Sequence, residues 1–281
     1  MPYREGDKII PGFEVVSFIP AGPISERYVL KDDQGMTYEV EIVAASAETP
    51  QVAKIAYRSL QFISGLRHPC LPESQGTIPL RVASEGEVRS FREVPLWEHL
   101  SGALALNQLV ESTGPLHPAQ AAEIVLQVAQ ALNFVETASW NSRGEAFPHL
   151  ALTPANIVLR ENRTAVVLGW ANRAATLSGS KPAFPYPRFV GFLDPLRPEP
   201  ATALDRRHDS YSLAACFFFL LKGHPLPYQL KPADRYRAAF ETLPELIGSD
   251  LAKLVAHALK PNPKERPSLE SLAAGIEEAQ N

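Results

Sequence analysis

The first third of the chain alternates hydrophobic and polar positions, a pattern that is typical of half-buried β-strands. Five strands are predicted, at 12–19, 27–30, 37–43, 77–82 and 88–94. Between the third and fourth strands, apolar residues such as Val52, Ile55 and Leu66 recur at helical spacing over 51–66. The pattern therefore predicts a small sheet with one main helix within residues 1–95.

From residue 96 onward the apolar spacing becomes mainly helical. Ile124, Val128 and Leu132 fall on one face of a long amphipathic helix predicted over 118–138. A short β-branched run predicts a further strand at 157–159, and a second apolar run lies at 165–168. Four more helices are predicted, at about 209–221, 233–241, 251–259 and 269–279. Residues 96–281 are therefore expected to form a second, mostly α-helical part.

Composition excludes several classes of protein. A net charge of −4, from 27 basic and 31 acidic residues, indicates neither a nucleic-acid surface nor a basic membrane patch. Cys70 and Cys216 form neither a disulfide framework nor a zinc motif. The longest apolar run, 213–221, is far shorter than the ~20 residues of a membrane span. With no signal-peptide character at the N-terminus, we expect a cytoplasmic protein that binds neither membrane nor nucleic acid.

The most informative stretch is the loop at 149–159, His-Leu-Ala-Leu-Thr-Pro-Ala-Asn-Ile-Val-Leu. It resembles the catalytic loop of protein kinases, His-Arg-Asp-Leu-x-x-x-x-Asn, in which the Asp is the catalytic base and the Asn helps to hold magnesium. Asn156 is kept, but Ala151 stands at the position of the Asp. Thirteen residues after Asn156, Gly169 stands where kinases carry the metal-binding Asp of Asp-Phe-Gly.

Further motifs of the same family follow in the family's order, at 194–199, 209–213, 221–228 and 261–268. Together they resemble the end of the activation segment, the buried helix of the large lobe, its stop and the Pro-x-x-Arg-Pro-Ser signature. The resemblance implies an α+β, bilobal protein-kinase-like fold. It would comprise a small antiparallel β-sheet lobe with one main helix at 1–95, and a mostly α-helical lobe at 96–281.

The positions that contact the nucleotide in kinases are degenerate. Only Gly22 matches the glycine-rich loop, and Glu41 replaces the phosphate-binding Lys, which reverses the charge. The Glu that pairs with that Lys falls near Ser59. Arg27 and Glu39 replace the two small apolar residues that sandwich adenine. Either these two charges face each other across neighbouring strands and fill the cleft, or the register is different and both are solvated.

In contrast, the residues that kinases use for structure are present in this chain. His149 is expected to pack and hydrogen-bond near Trp170, and Asp209 to accept amide hydrogens from the loop at 149–159. Glu199 and Arg266 are expected to form a buried ion pair. The resemblance thus implies a degenerate member of the family, a pseudokinase, with structural residues present and catalytic residues absent.

The function expected from this pattern is that of a scaffold or regulatory module and not of an enzyme. It would bind a protein partner, or a domain of a longer parent chain, mainly through 171–200. No catalytic, cofactor or metal site is expected to be intact. The alternative is residual or unconventional ATP-binding or phosphotransferase activity, and only under this alternative are ATP and magnesium expected as ligands.

Overall fold

The computed structural model describes residues 3–20, 22, 24–44, 49–82, 90–178, 191–195, 204–227 and 229–280. The chain divides into two compact units. The described residues of the first unit lie within Met1–Gly102 and Leu168–Ala183, and those of the second lie within Ala103–Val167 and Phe184–Asn281. The first unit therefore contains a segment that follows much of the second unit in sequence.

The first unit is built on a six-stranded antiparallel sheet with the order β1-β2-β3-β4-β6-β5. Its strands are β1 (Lys8–Ile10), β2 (Phe13–Pro20), β3 (Ser25–Asp32), β4 (Thr37–Val43), β5 (Ser74–Val82) and β6 (Ser90–Glu98). On β3 and β4, Arg27 lies opposite Glu41 and Val29 lies opposite Glu39. Because side chains alternate between the two faces of a strand, Arg27, Glu39 and Glu41 project from the same face.

One long helix, α1 (Pro50–Ser64), packs against this sheet. Thr49 begins it as an N-cap, since its side chain accepts the amide hydrogen of Val52, and Pro50 occupies the first turn. A short 3₁₀ turn, Trp170–Asn172, and a five-residue helix, Arg173–Leu177, pack against α1. The segment 171–200, which we call the activation-segment equivalent, therefore begins in the first unit.

The second unit is mostly helical, with a three-stranded antiparallel sheet of the order β7-β8-β9. Its strands are β7 (Leu104–Ala105), β8 (Ile157–Leu159) and β9 (Ala165–Val167). The helix Arg173–Leu177 of the first unit is numbered α4. The helices of the second unit are α2 (Leu106–Thr113), α3 (Pro118–Arg143), α5 (Arg207–Lys222), α6 (Pro232–Thr242), α7 (Pro244–Ile247), α8 (Ser249–Ala258) and α9 (Leu269–Gln280). Helix α5 is buried along nearly its whole length, because α3, α8 and α9 pack around it.

This architecture confirms the predicted fold class. The first unit has the expected antiparallel sheet with one main helix, and the second unit is mainly helical. The boundary lies at Gly102, and the first unit also takes in the segment that begins at Leu168. None of the helices within the described ranges is both long enough and apolar enough to cross a membrane.

Candidate functional site

A small pocket in the first unit contains the degenerate nucleotide positions. We call it the strand pocket. Its lining includes Arg27, Glu39, Glu41, Trp97, Leu100 and Trp170. The free space is about 10 Å³, which is room for about one water molecule. Charged side chains that project from β3 and β4 thus occupy most of the volume that a ligand would use.

Arg27 and Glu39 form an ion pair inside this pocket. Arg27 Nε lies 3.7 Å from Glu39 Oε2, and the side chains are only 10% and 5% exposed. The two residues are diagonal neighbours on the same face of adjacent strands, which places their side chains within reach of each other. Arg27 Nε is buried and has no hydrogen-bond acceptor among the described residues. The charge of Arg27 is thus compensated, while its donor capacity is not fully used.

Glu39 makes two further contacts just beyond the end of β6. Its Oε1 accepts a hydrogen bond from the backbone amide of Leu100 at 3.2 Å. The same oxygen lies 3.1 Å from Nδ1 of His99. A single carboxylate therefore joins β4, the cation on β3 and the segment that follows β6. His99 was not singled out by sequence, because its position two residues after Trp97 carries no motif.

Glu41, at the position of the kinase Lys, is buried in the same region. Ser25 Oγ donates to its Oε1 at 2.7 Å. Burial raises the pKa of the Glu41 carboxyl, and the hydrogen bond from Ser25, the charge of Arg27 and the backbone amide of Ala171 partly oppose that rise. Where a kinase presents a cation, this protein places a carboxylate that accepts hydrogen bonds from its own chain.

The residues around the Asp-Phe-Gly equivalent contact other parts of the first unit, to which they belong. Gly169 has a positive φ of 79°, and Trp170 is buried. The side chain of Asn172 accepts the amide hydrogen of Ile24 at 3.4 Å and lies directly against the backbone of Gly22. A Cβ on Gly22 would approach the Asn172 amide nitrogen to 2.4 Å, so a side chain at this position would require the Asn172 side chain to move.

Arg173 follows this turn and contacts α1. The side chain of Arg173 is buried and donates to Ser59 Oγ at 3.4 Å. Ser59 occupies the position near which the ion-pairing Glu of kinases was expected. A cation from the activation-segment equivalent therefore reaches the face of α1 that in kinases supplies an anion to the Lys.

In the second unit, the loop at 149–156 is held by Asp209 at the start of α5. The Asp209 carboxylate accepts the amide hydrogens of His149, at 2.5 Å, and of Leu150, at 2.9 Å. Leu150 has φ of +61°, a left-handed conformation that is uncommon for a non-glycine residue. This conformation turns two successive amides toward one carboxylate. His149 is fully buried, and its Nδ1 accepts the amide hydrogen of Ala151 at 3.3 Å.

Both polar atoms of the Asn156 side chain are used within the same loop. Oδ1 accepts the amide hydrogen of Thr153 at 2.8 Å, and Nδ2 donates to the carbonyl oxygen of Ala151 at 2.7 Å. Positions 151 and 169 carry no carboxylate. Across the ranges that the structure describes, no group of three or more His, Cys, Asp or Glu side chains is placed to hold a metal ion. These residues do not fit magnesium, which is usually bound through carboxylates and substrate phosphates.

Burial dominates the titration of Asp209. Burial raises the pKa of this carboxyl from 3.8 to about 6, although the hydrogen bonds that it accepts from two backbone amides oppose the rise. The folded state then holds this proton more tightly than the unfolded chain does. The contribution of Asp209 to the free energy of unfolding is therefore fully present at low pH and is lost as the pH rises from about 4 to about 6.

We expect Asp209→Asn to remove this pH dependence. Since one pKa unit corresponds to about 1.36 kcal/mol, the rise in pKa amounts to about 3 kcal/mol. The free energy of unfolding of the wild type, relative to the variant, should fall by about this amount between pH 4 and pH 7. Urea denaturation at several pH values measures the difference. A constant difference between the two proteins would show that Asp209 does not titrate in this range.

Sequence reasoning missed a second residue that braces this region. Glu136 lies on the buried side of α3, where its Oε2 accepts the amide hydrogen of Phe147 at 2.9 Å. Its Oε1 pairs with Arg206 Nε at 2.8 Å, and the Arg206 guanidinium lies 4.9 Å from the ring centre of Trp140. The available signal was an acidic residue next to Val135 on the apolar face of an amphipathic helix.

The ion pair expected for Arg266 has a different described partner. Glu199 lies outside the described residues, and the Arg266 guanidinium binds both carboxylate oxygens of Asp194. Nη2 to Oδ1 is 2.9 Å, and Nδ1 of His208 lies 2.5 Å from Oδ2. Arg266 also donates to the carbonyl oxygens of Lys260, Pro261 and Arg207. Asp194 begins the same motif that contains Glu199, so the motif was recognised but not this acidic residue.

The two units have the folds expected of a protein-kinase-like protein. Comparisons of sequence agree with that class. The chain is 27% identical over 276 residues to the serine/threonine-protein kinase PknB of Mycobacterium leprae (strain TN), covering 90% of this chain and 40% of the relative. It is 26% identical over 178 residues to the serine/threonine-protein kinase PkaA of Streptomyces coelicolor, covering 61% and 31%. The chain thus spans about 40% of the length of PknB.

A comparison of structures supports the same fold. The crystal structure of Rad53 1–466 in complex with AMP-PNP matches 93% of this chain and 64% of its own, with a TM-score of 0.66 and 15% identity. No protein-family model matches the chain. The predicted resemblance to protein kinases is therefore confirmed, and the fold is protein-kinase-like.

The comparisons correct one prediction. The chain was expected not to be an enzyme, but the curated relatives that it matches are named as enzymes, serine/threonine-protein kinases. The prediction was wrong, and the comparisons point to an enzyme. The expectation of inactivity rested on the joint replacements at Glu41, Ala151 and Gly169. Arg27 was considered only as a side chain that fills the cleft or is solvated, and not as a cation available to a ligand.

Proposed function

We propose that this chain binds ATP in the strand pocket and has residual or unconventional phosphotransferase activity. The observation that carries the proposal is Arg27, a nine-tenths buried cation with an unused Nε donor in the pocket. The kinases among its relatives and the AMP-PNP complex of its structural neighbour support the same class of ligand.

Arg27, on β3, supplies the cation that kinases supply with a lysine on the neighbouring strand, β4. It lies directly opposite Glu41, so the cation of this pocket is displaced by one strand from the position that kinases use. A guanidinium is well suited to this task, because its fixed fork of donors matches two phosphate oxygens and it stays charged when buried. ATP would take over from Glu39 as the partner of Arg27.

Binding of this kind would not depend on magnesium. Asn156 is committed to its own loop, and no described carboxylates gather as metal ligands. Phosphoryl transfer in kinases relies on metal ions for charge neutralisation and on an Asp that accepts the substrate proton. With Ala151 and Gly169 at the Asp positions, transfer by this chain is expected to be far slower than the usual 1–100 s⁻¹ of kinases.

Thermal shift and calorimetric titration with ATP test the proposal. At 100 times the dissociation constant, ATP should stabilise the wild type by about 2.7 kcal/mol, with or without magnesium. Arg27→Gln should lose most of this gain, whereas Arg67→Gln, an exposed arginine of the same unit, should keep it. Transfer of the γ-phosphate, followed with labelled ATP, should be slow and should disappear in Arg27→Gln. Absence of ATP binding to the wild type would reject the proposal.

A second candidate is a role as a protein-binding regulatory module. The observation that favours it is the strand pocket itself, where about 10 Å³ is free and the Leu100 amide already has an acceptor. The contact surface expected at 171–200 is described only in part, since 179–190 and 196–200 lie outside the described residues. A pull-down from native lysate, repeated with excess ATP, tests it. A partner retained at the same level under both conditions supports this role.

A further inference from the structure

Glu39 combines three internal contacts that no other described residue of the strand pocket brings together. Glu39 is 4% exposed, and its carboxylate lies against the guanidinium of Arg27, Nδ1 of His99 and the amide nitrogen of Leu100. An ionised side chain is costly to bury unless such partners compensate it. Here the partners are the groups with which the pocket would otherwise hold a ligand.

Two of the partners of Glu39, the Leu100 amide and Arg27, suit different parts of a ligand. The Leu100 amide is a backbone donor in the pocket wall, and it suits an uncharged acceptor such as a ring nitrogen or a carbonyl oxygen. Arg27 is a buried cation, and it suits a phosphate or another anion. A ligand that carries both features on one molecule would make both contacts, and a nucleotide is such a ligand.

We propose that Glu39 is a built-in competitor for the nucleotide. Its carboxylate makes the two contacts that the nucleotide would make. It accepts the hydrogen bond of the Leu100 amide, and it pairs with the charge of Arg27. Nucleotide binding therefore requires Glu39 to leave the pocket, and the wild type binds weakly for this reason. This inference rests on the ATP binding proposed above and assigns the regulation of that site to one side chain.

Substitutions of Glu39 can separate its contact with the Leu100 amide from its contact with Arg27. Glu39→Ala removes both the acceptor and the charge. Glu39→Gln keeps an oxygen acceptor for the Leu100 amide but removes the charge that pairs with Arg27. The matched control is Glu93→Gln on β6, since Glu93 is an exposed glutamate of the same sheet. Circular dichroism and thermal melting establish that each variant is folded.

Three probes, all without magnesium, report on the separate contacts. ATP is expected to bind Glu39→Ala at least about tenfold more tightly than the wild type, equivalent to about 1.4 kcal/mol. Inorganic triphosphate, which needs only the cation, should bind more tightly to both Glu39→Ala and Glu39→Gln. Adenosine, which needs only the amide, should gain affinity in Glu39→Ala alone. Hydrogen exchange at the Leu100 amide should accelerate in Glu39→Ala and stay slow in Glu39→Gln.

The outcomes separate this inference from the proposed function. If the wild type binds ATP and neither Glu39 variant binds it more tightly, Glu39 is not a competitor and ATP binding stands. If Glu39→Ala does not fold, triphosphate binding to Glu39→Gln decides, and an affinity equal to that of Glu93→Gln overturns the inference. If no folded variant binds any of the three probes, both proposals are wrong.

Discussion

Replacing Arg266 with methionine is expected to lower the free energy of unfolding by about 3–5 kcal/mol. The substitution leaves the Asp194 carboxylate buried without its main counter-charge, since this side chain is only 4% exposed. The carbonyl oxygens of Lys260 and Pro261 lose a donor at the same time. Guanidinium chloride denaturation followed by circular dichroism measures the loss.

Two further variants establish that the effect comes from an unpaired charge. The double variant Asp194→Leu, Arg266→Met removes both charges and should recover a large part of the loss, because apolar replacement of a buried pair is often neutral or stabilising. Arg163→Met, at an arginine that is 55% exposed, should change stability by less than about 1 kcal/mol. If the double variant is no more stable than Arg266→Met, the energy lies in the carbonyl contacts and not in the ion pair.

Most of the fold was predictable, because long elements repeat their apolar pattern over several turns. The strand predicted at 37–43 is observed as Thr37–Val43, and the helix predicted at 118–138 is observed as Pro118–Arg143. Most of the elements that were missed are short, although the missed helix α2 has eight residues. Strand β1 has three residues, β7 has two and α4 has five, so none of them completes a recognisable period. Their positions depend on tertiary contacts, which a local pattern does not contain.

The candidate site was predictable where it depended on strand register and not where it depended on distant segments. Alignment of two adjacent strands was enough to raise the possibility that Arg27 and Glu39 face each other, and the structure places them 3.7 Å apart. Neither the Leu100 amide beside Glu39 nor the Ala171 amide beside Glu41 was foreseen. Backbone donors carry no sequence signal, since every residue except proline has one.

The same limit applies to Asp194 as a partner of Arg266. The motif at 194–199 contains two acidic residues five positions apart, Asp194 and Glu199, and the family resemblance selected the second. The structure shows Arg266 bound to the first, which is also held by His208 from α5. The contact between Asp194 and Arg266 depends on the path of the backbone, which the motif does not specify.

Substituting Glu41 with lysine, the residue that kinases carry at this position, is expected to destabilise the protein and not to restore a kinase site. The ammonium group would replace an acceptor that now binds Ser25 Oγ, and it would lie near the cation of Arg27. Two like unit charges about 4 Å apart repel by about 4 kcal/mol at an effective dielectric constant of about 20. We therefore expect Glu41→Lys to lose about 4 kcal/mol, measured by urea denaturation at pH 7.

Glu41→Gln separates the loss of the acceptor from the reversal of charge. It keeps an oxygen for Ser25 Oγ, and since burial already disfavours the ionised carboxyl, it should cost less than about 1 kcal/mol. Glu93→Lys, at an exposed position of the same sheet, controls for the lysine itself and should also be nearly neutral. A Glu41→Lys protein as stable as the wild type, with tighter magnesium-dependent ATP binding, would contradict the prediction. It would show that one reversed charge, and not the rearranged strand pocket, separates this chain from a conventional kinase.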